Sequence, residues 1–238
     1  MSSSHLDRKE LKQPDAFVTS STSLFEMAQK NSKVLIALLI VAAAVITAVM
    51  FYQNSKATHE VEVANSFYSL RKTAVVELAK VANKDGKVDG DWEAKTKDTL
   101  AALAAFADQN RGTAAGFEAA LMLGTTYFEH ASYEKAAVYY AMATASAPSK
   151  TVEATARYEL AYAYENLKKY DDALAAHEKI QASGVKIVTS DSLLAMARIV
   201  ELKGDKKKAL EYLEKFNKEY PESPVKKTVE ATMARLKK

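Results

Sequence analysis

The chain offers few residues whose types and spacing are typical of metal or catalytic chemistry. Residues 85–91 read DGKVDGD, which resembles a calcium-binding loop. Aligned as an EF-hand, this loop has Lys87 at a ligand position and Thr96 where a bidentate glutamate is required. His59-Glu60 lacks the second histidine, four residues after the first, that a zinc metalloprotease motif needs. We therefore predict no metal site, and we interpret residues 85–91 as a turn between helices.

Other signatures of catalysis and cofactor binding are also missing from the sequence. The chain has no cysteine, which removes thiolate nucleophiles, disulfides and cysteine zinc sites. It has no glycine-rich phosphate loop and no G-x-S-x-G turn, and His177 falls at a place expected for helix packing. A net charge of +3 is too small to indicate nucleic-acid binding, which needs a concentrated basic stripe. We predict a chain that is not an enzyme and has no cofactor, no small-molecule substrate and no nucleic-acid partner.

One helical pattern occurs three times in the second half of the chain, at intervals of 37 and 36 residues. The first copy contains Leu123, Gly124, Tyr127, Tyr133, Ala136, Tyr140, Ala143 and Pro148. The second contains Leu160, Ala161, Tyr164, Tyr170, Ala173, His177 and Ile180. The third contains Met196, Ala197, Val200, Gly204, Asp205, Ala209, Leu213, Phe216 and Pro221. This is the tetratricopeptide pattern, and it predicts repeats over residues 117–150, 154–187 and 190–223.

The pattern has a physical basis in helix packing. Each repeat is two antiparallel helices, and the small residues lie where the helices approach most closely, while large residues fill the space beside them. Ser132 and Asp205 are placed to cap second helices, and Pro148 and Pro221 to end them. The predicted fold is therefore all-α: an α-solenoid of about three to four helix pairs.

The two ends of the solenoid are predicted from weaker patterns. A degenerate pair precedes the repeats, with a helix over about 92–110 that carries Ala102 and Phe106 at second-helix places. Its partner is a long helix over about 57–83, with one apolar face. That face consists of Ala64, Phe67, Tyr68, Ala74, Val75, Leu78 and Val81. A last, lysine-rich helix after Ser223-Pro224 is expected to cap the other end.

An uncharged apolar run begins at Val34 and ends at Tyr52. As a helix it is about 29 Å long, close to the ~30 Å hydrocarbon core of a bilayer, so we predict a transmembrane helix over 34–52. A cleavable signal peptide is the alternative, although this run and the segment before it are longer than usual. Lys30 and Lys33 precede the run and Lys56 follows it, which favours a cytoplasmic N-terminus.

The domain boundaries follow from this transmembrane helix. We predict a cytoplasmic tail over 1–33 and a repeat domain over 53–238. In the tail, Ser23 and Glu26 form a possible capping box for a short interfacial helix, with a disordered tail as the alternative.

The first helices of the repeats are expected to line a concave groove that binds a partner protein. The inward positions are predicted to be Leu121, Thr125, Phe128, Tyr158, Tyr162, Glu165, Leu194, Arg198 and Glu201. This apolar and aromatic lining suits an amphipathic helix or an extended apolar segment. The alternative is that the C-terminal helix of the chain covers the groove.

The whole chain resembles the single-pass, periplasmic tetratricopeptide-repeat family whose best-known member is an ancillary subunit of the SecYEG translocon. The resemblance covers the apolar anchor, the stretch from Phe106 through Gly124 and the repeats after it, together with the tail segment 8–15. It implies a protein of the bacterial inner membrane whose repeat domain is periplasmic and whose partners are the translocon or envelope clients. The peptide-clamp version of this resemblance requires Lys, Asn and Arg in the groove to bind a C-terminal carboxylate, where this chain has Leu121, Thr125, Tyr158 and Tyr162.

Two functions outside the translocon remain open from the sequence. A structural scaffold that assembles a division or outer-membrane-biogenesis machine would use the same anchor and repeats. An organelle import receptor would place the repeats in the cytosol. These alternatives stay open because tetratricopeptide repeats are specific for fold and unspecific for function, so the translocon role rests on the resemblance. An interaction protein with envelope clients, chaperone-like or translocon-associated, is the leading hypothesis.

Overall fold

The structure is a computed structural model that describes residues 30–81 and 91–238, and within those ranges the chain forms helices and turns without a strand. The helices are α1 (Ser32–Val81), α2 (Trp92–Lys95), α3 (Lys97–Gln109), α4 (Ala114–Glu129), α5 (Tyr133–Ser146), α6 (Lys150–Asn166), α7 (Tyr170–Ser183), α8 (Lys186–Leu202), α9 (Lys206–Glu219) and α10 (Lys226–Leu236). The all-α prediction is confirmed. The predicted capping box of the tail and the calcium-like segment up to residue 90 lie outside the described residues.

The chain divides into two compact units, residues 1–58 and 59–238. In the first unit, the described residues belong to α1, and the apolar side chains from Val34 to Tyr52 are exposed. This part of α1 is long and apolar enough to cross a membrane. Thr47 is the one aliphatic hydroxyl within it, and its Oγ1 donates to the carbonyl oxygen of Ala43 at 2.8 Å, so that hydroxyl is satisfied within the helix.

In the second unit, consecutive helices from α4 to α9 pack against each other as antiparallel pairs. The small residues lie at the contacts between helices, as the repeat pattern predicts: Gly124, Ala136, Ala161, Ala173, Ala197 and Ala209 are all buried. Gly124 shows how close the approach is, because a Cβ atom added there would lie 2.5 Å from Cδ1 of Tyr140. The packing of α4 on α5 therefore depends on the missing side chain.

The turns inside the three repeats have the same backbone shape. Each places one residue in the left-handed region, namely Ala131 (φ 58°), Lys168 (φ 58°) and Gly204 (φ 87°). Asp205 caps α9 as predicted, because its carboxylate accepts from the backbone N–H of Lys208 at 2.9 Å. The cap predicted for Ser132 is wrong, since its side chain makes no capping hydrogen bond. The backbone of the turn places Ser132 at the start of α5 without a hydrogen bond from its side chain.

The first helix pair differs from the prediction in register. Ala102 is exposed, and Leu103 and Ala107 take the buried places on α3. Phe106 is half-buried, and its ring stacks on Phe67 of α1 with centroids 5.4 Å apart. The helix predicted over 92–110 is also interrupted, because Thr96 separates α2 from α3.

The apolar face predicted for the long helix contains residues from two different stripes. Val63, Phe67 and Ala74 form the buried stripe, while Leu70, Leu78 and Val81 pack on it partly buried. Ala64, Tyr68 and Val75 are exposed, so their inclusion in one buried face was wrong. At 100° per residue these three lie about a quarter turn away from the buried stripe, which the 3–4 spacing did not resolve.

The C-terminal helix α10 packs as predicted on the third repeat. Val229 and Leu236 join a buried cluster with Leu213 and Phe216 of α9. The proline at 221 follows the end of α9, and the helix begins three residues after Ser223. The exposed lysines of α10 leave a polar outer end, which a solenoid needs to avoid stacking on another copy.

Candidate functional site

The predicted inward positions of the first repeat line a cleft. Leu121 and Thr125 of α4 face Phe67, Arg71 and Val75 of α1 across a cavity of about 470 Å³. Met122 and Glu118 also line this cavity, and the sequence analysis did not predict these two residues at the site. Arg71 reaches Glu118 at 3.5 Å, and both side chains are more than half exposed. Arg71 therefore places an ion pair in this cleft, among apolar side chains.

The next predicted positions meet between the first and second repeats. The rings of Phe128 (α4) and Tyr162 (α6) stack with centroids 5.2 Å apart. Tyr162 remains 41% exposed, so one part of its ring is open to solvent. Tyr158, one turn earlier, is half-buried and packs edge-on against His177 at 5.7 Å. We call Leu121, Thr125, Phe128, Tyr158 and Tyr162 the central groove.

The positions predicted on the third repeat contact the C-terminal helix. Leu194, Arg198 and Glu201 of α8 line a cavity of about 370 Å³ together with Thr228 and Arg235 of α10. Arg235 donates two hydrogen bonds to the carboxylate of Glu201, at 2.5 and 3.0 Å. Helix α10 thus packs beside the third repeat, and Tyr162 in the central groove stays exposed.

Three ion pairs join successive first helices along this surface. Arg71 pairs with Glu118, Arg198 pairs with Glu165 at 2.8 Å, and Arg235 pairs with Glu201. The bond from Arg198 raises the pKa of that guanidinium, and the bond from Arg235 lowers the pKa of Glu201. The arginines are more than half exposed, so water screens each pair and the three pairs add little to the stability of the fold.

One residue of the site was missed by the sequence reasoning. Glu159 of α6 is partly buried, and burial raises the pKa of its carboxyl. Its charge also helps to raise the pKa values of Tyr158 and Tyr140. No hydrogen bond or ion pair of Glu159 is found within 30–81 and 91–238. The sequence contained one signal for Glu159, because this charged residue directly follows Tyr158, which was predicted to face inward.

The electrostatics around the central groove are dominated by desolvation. Burial raises the pKa of Tyr140 to about 12, although its hydroxyl donates to Thr125 Oγ1 at 3.4 Å, which acts the other way. Burial is also the largest cause of the raised pKa of Tyr158, and the charge of Asp191 adds to it. Burial therefore favours the neutral form of the Tyr140 and Tyr158 hydroxyls, which suits hydrogen bonding rather than proton transfer.

A buried histidine lies beneath the groove. His177 is 1% exposed, and its Nδ1 lies 3.1 Å from Ser192 Oγ, while no partner of its Nε2 is found among the described residues. Burial, and secondarily the charge of Arg198, lower the pKa of His177 to about 4. Within the described ranges, no group of three or more His, Asp or Glu side chains could hold a metal ion.

Comparison with protein families agrees with this architecture. The family described as tetratricopeptide repeat-like domain matches residues 28–193, more than half of the chain. The family described as tetratricopeptide repeat matches residues 191–223. A comparison with curated proteins finds no match. Tetratricopeptide repeats are protein-interaction modules, which agrees with the open groove. The chain is a member of the tetratricopeptide repeat-like domain family.

Proposed function

We propose that this chain is a single-pass, membrane-anchored interaction scaffold of the bacterial inner membrane. The tail over 1–33 lies in the cytoplasm, the helix over 34–52 crosses the bilayer, and the repeat domain over 53–238 lies in the periplasm. There it binds translocated or folding envelope proteins, as a chaperone-like or translocon-associated adaptor. It performs no catalysis and needs no cofactor.

The observation that carries the membrane part is the continuous exposure of the apolar side chains over 34–52. A helix that is apolar on all sides and whose side chains are exposed among the described residues requires an apolar solvent, and lipid is that solvent. Lys30 and Lys33 before the span and Lys56 after it support a cytoplasmic N-terminus. The resemblance to the periplasmic family supports the same orientation.

The observation that supports protein binding is the central groove. Stacked, partly exposed aromatic rings of Phe128 and Tyr162 offer a large apolar surface at low entropic cost. The groove also contains the exposed hydroxyl of Thr125, which accepts from the buried Tyr140 and can bind a polar group of a partner backbone. A segment with apolar side chains on one face fits these features.

Cysteine labelling tests the membrane orientation, because the chain has no cysteine of its own. With the outer membrane permeabilised, Ser4→Cys should resist an impermeant maleimide and Ser223→Cys should react. Both sites should react after detergent is added. Reversed labelling in intact cells would refute the periplasmic assignment.

Site-specific crosslinking tests the groove. A photo-crosslinking residue at Thr125 should capture partner proteins in the membrane, and Tyr162→Ala combined with Tyr158→Ala should remove most of these products. Because Tyr158 packs on His177, the single change Tyr162→Ala is the cleaner variant and should weaken the capture several-fold. Tyr212→Ala, on the second helix α9, is the matched control and should leave the crosslinks intact.

The pattern of crosslinked products distinguishes two kinds of scaffold. Many products of different size indicate envelope clients, as we propose. A single stoichiometric product indicates a structural component of one envelope machine, such as division or outer-membrane biogenesis. Crosslinks from Thr125 that persist in the double variant, with helical content unchanged, would show that the groove is not the binding surface.

A further inference from the structure

The central groove contains a carboxylate without a partner. Glu159 follows Tyr158 directly and precedes Tyr162 by three residues, so its side chain and that of Tyr162 are neighbours on α6. Its charge contributes to the raised pKa values of Tyr140 and Tyr158. Glu118, Glu165 and Glu201 belong to the same row of first helices, and each of them is paired with an arginine.

An unpartnered, partly buried carboxylate costs stability unless something compensates it. Burial raises the pKa of Glu159, and no ion pair of its carboxylate is found within residues 30–81 and 91–238. Asp191, on α8, adds negative charge that acts on Tyr158. Arg198 is a cation that acts on Tyr158, and it is paired with Glu165.

The surroundings decide which cation fits. A bare metal ion needs several oxygen ligands in a defined geometry, and one carboxylate beside aromatic rings does not supply them. A lysine or arginine side chain places its apolar stem against rings and its charged end at a carboxylate, and ring faces attract its charge. The stacked pair of Phe128 and Tyr162 offers such rings beside Glu159.

We propose that the central groove selects partner segments that present a lysine or arginine between apolar side chains, with Glu159 as the residue that recognises the cation. The apolar side chains pack on Phe128, Tyr158 and Tyr162, and the ammonium or guanidinium group forms an ion pair with the carboxylate. The negative charge of Glu159 disfavours binding of the C-terminal carboxylate of a peptide in this groove. The inference rests on the proposed function, because it names what the same groove recognises.

Fluorescence anisotropy with synthetic peptides tests this selectivity on the full chain in phosphatidylcholine nanodiscs. The probes are three labelled 16-residue helical peptides of Ala, Leu and Gln that differ only at the central position, which is Lys, Gln or Glu. The Lys peptide should bind about 10-fold more tightly than the Gln peptide, as a charged pair at a partly buried site implies. The Glu peptide should bind more weakly than either.

The matched variants separate the cation from the groove. Glu159→Gln should reduce the preference for the Lys peptide to within about twofold. Glu211→Gln, an exposed change on α9 that alters the net charge equally, should keep the preference. Circular dichroism should show the same helical content in both variants, because Glu159→Gln removes a charge and keeps the shape of the side chain.

The outcomes distinguish this inference from the proposed function. If all three peptides bind equally and Tyr162→Ala weakens them all, the groove binds proteins but does not select a cation. A Lys preference that survives Glu159→Gln also overturns the assignment of Glu159. If no peptide binds to the chain above empty nanodiscs, both the inference and the groove as a binding surface are refuted.

Discussion

The buried histidine beneath the central groove should make the stability of the repeat domain depend on pH. His177 titrates at a pKa of about 4 in the folded chain, against 6.5 for a free imidazole. Between pH 4 and pH 6.5, the His177 imidazole binds a second proton in the unfolded chain and does not bind it in the folded chain. The contribution of His177 to the unfolding free energy is therefore fully present above pH 6.5, and it is lost as the pH falls towards 4.

The size of the effect follows from the difference between the two pKa values. Each pH unit in which only the unfolded state is protonated costs about 1.4 kcal/mol of unfolding free energy. Lowering the pH from 7.5 to 5 should therefore remove about 2 kcal/mol. The physical cause is the enclosed imidazole, whose Nε2 has no partner found among the described residues, so a second proton would place an uncompensated charge in the core.

Urea unfolding of the chain in detergent, followed by circular dichroism at several pH values, measures this dependence. His177→Gln removes the titration while keeping a group that can bond to Ser192, and its stability should change about 2 kcal/mol less over the same range. The exposed His59→Gln is the matched control and should keep the wild-type dependence. Equal pH dependence in the wild type and His177→Gln would refute the buried, neutral imidazole.

Three further predictions concern helix packing and turns, each measured by thermal unfolding of the same preparation. Gly124→Ala should destabilise by about 1–3 kcal/mol, because the added Cβ meets the ring of Tyr140, and this outweighs the gain of about 1 kcal/mol in helix propensity; an increase in stability would contradict the close approach. Ala173→Leu should cost about 1–3 kcal/mol by forcing buried helices apart, and no loss would show that the repeat register is wrong. Lys168→Gly should stabilise by about 1 kcal/mol, because glycine takes the left-handed conformation without strain, and a loss would show that the turn depends on the lysine.

The repeats could be predicted from the sequence because their signals are local and periodic. The small residues at 124, 161 and 197 and at 136, 173 and 209 recur in register, and close helix contacts require them. The cap at Asp205 was equally local, since it needs only the residue and the start of a helix. Ser132 has the right residue type, but the left-handed residue before it already closes the turn.

The parts that could not be predicted depend on contacts between helices. The buried face of α1 is set by the packing of Phe67 on Phe106, and apolar residues on a neighbouring stripe, such as Tyr68, look the same in a pattern of 3–4 spacing. The predicted inward positions remain a prediction as a binding surface. The sequence analysis missed Glu159 because its burial and its lack of an ion-pair partner depend on how the surrounding helices pack.

The ion pairs between successive first helices have a mechanical consequence. Each of the three pairs bridges two neighbouring helices, and each is exposed and individually weak. An exposed pair of this kind can open at little cost in free energy, because water solvates the separated charges. The row of first helices can therefore widen locally at one repeat, and high salt should soften the solenoid without unfolding it. Such local widening would let one groove bind partner segments whose side chains differ in size.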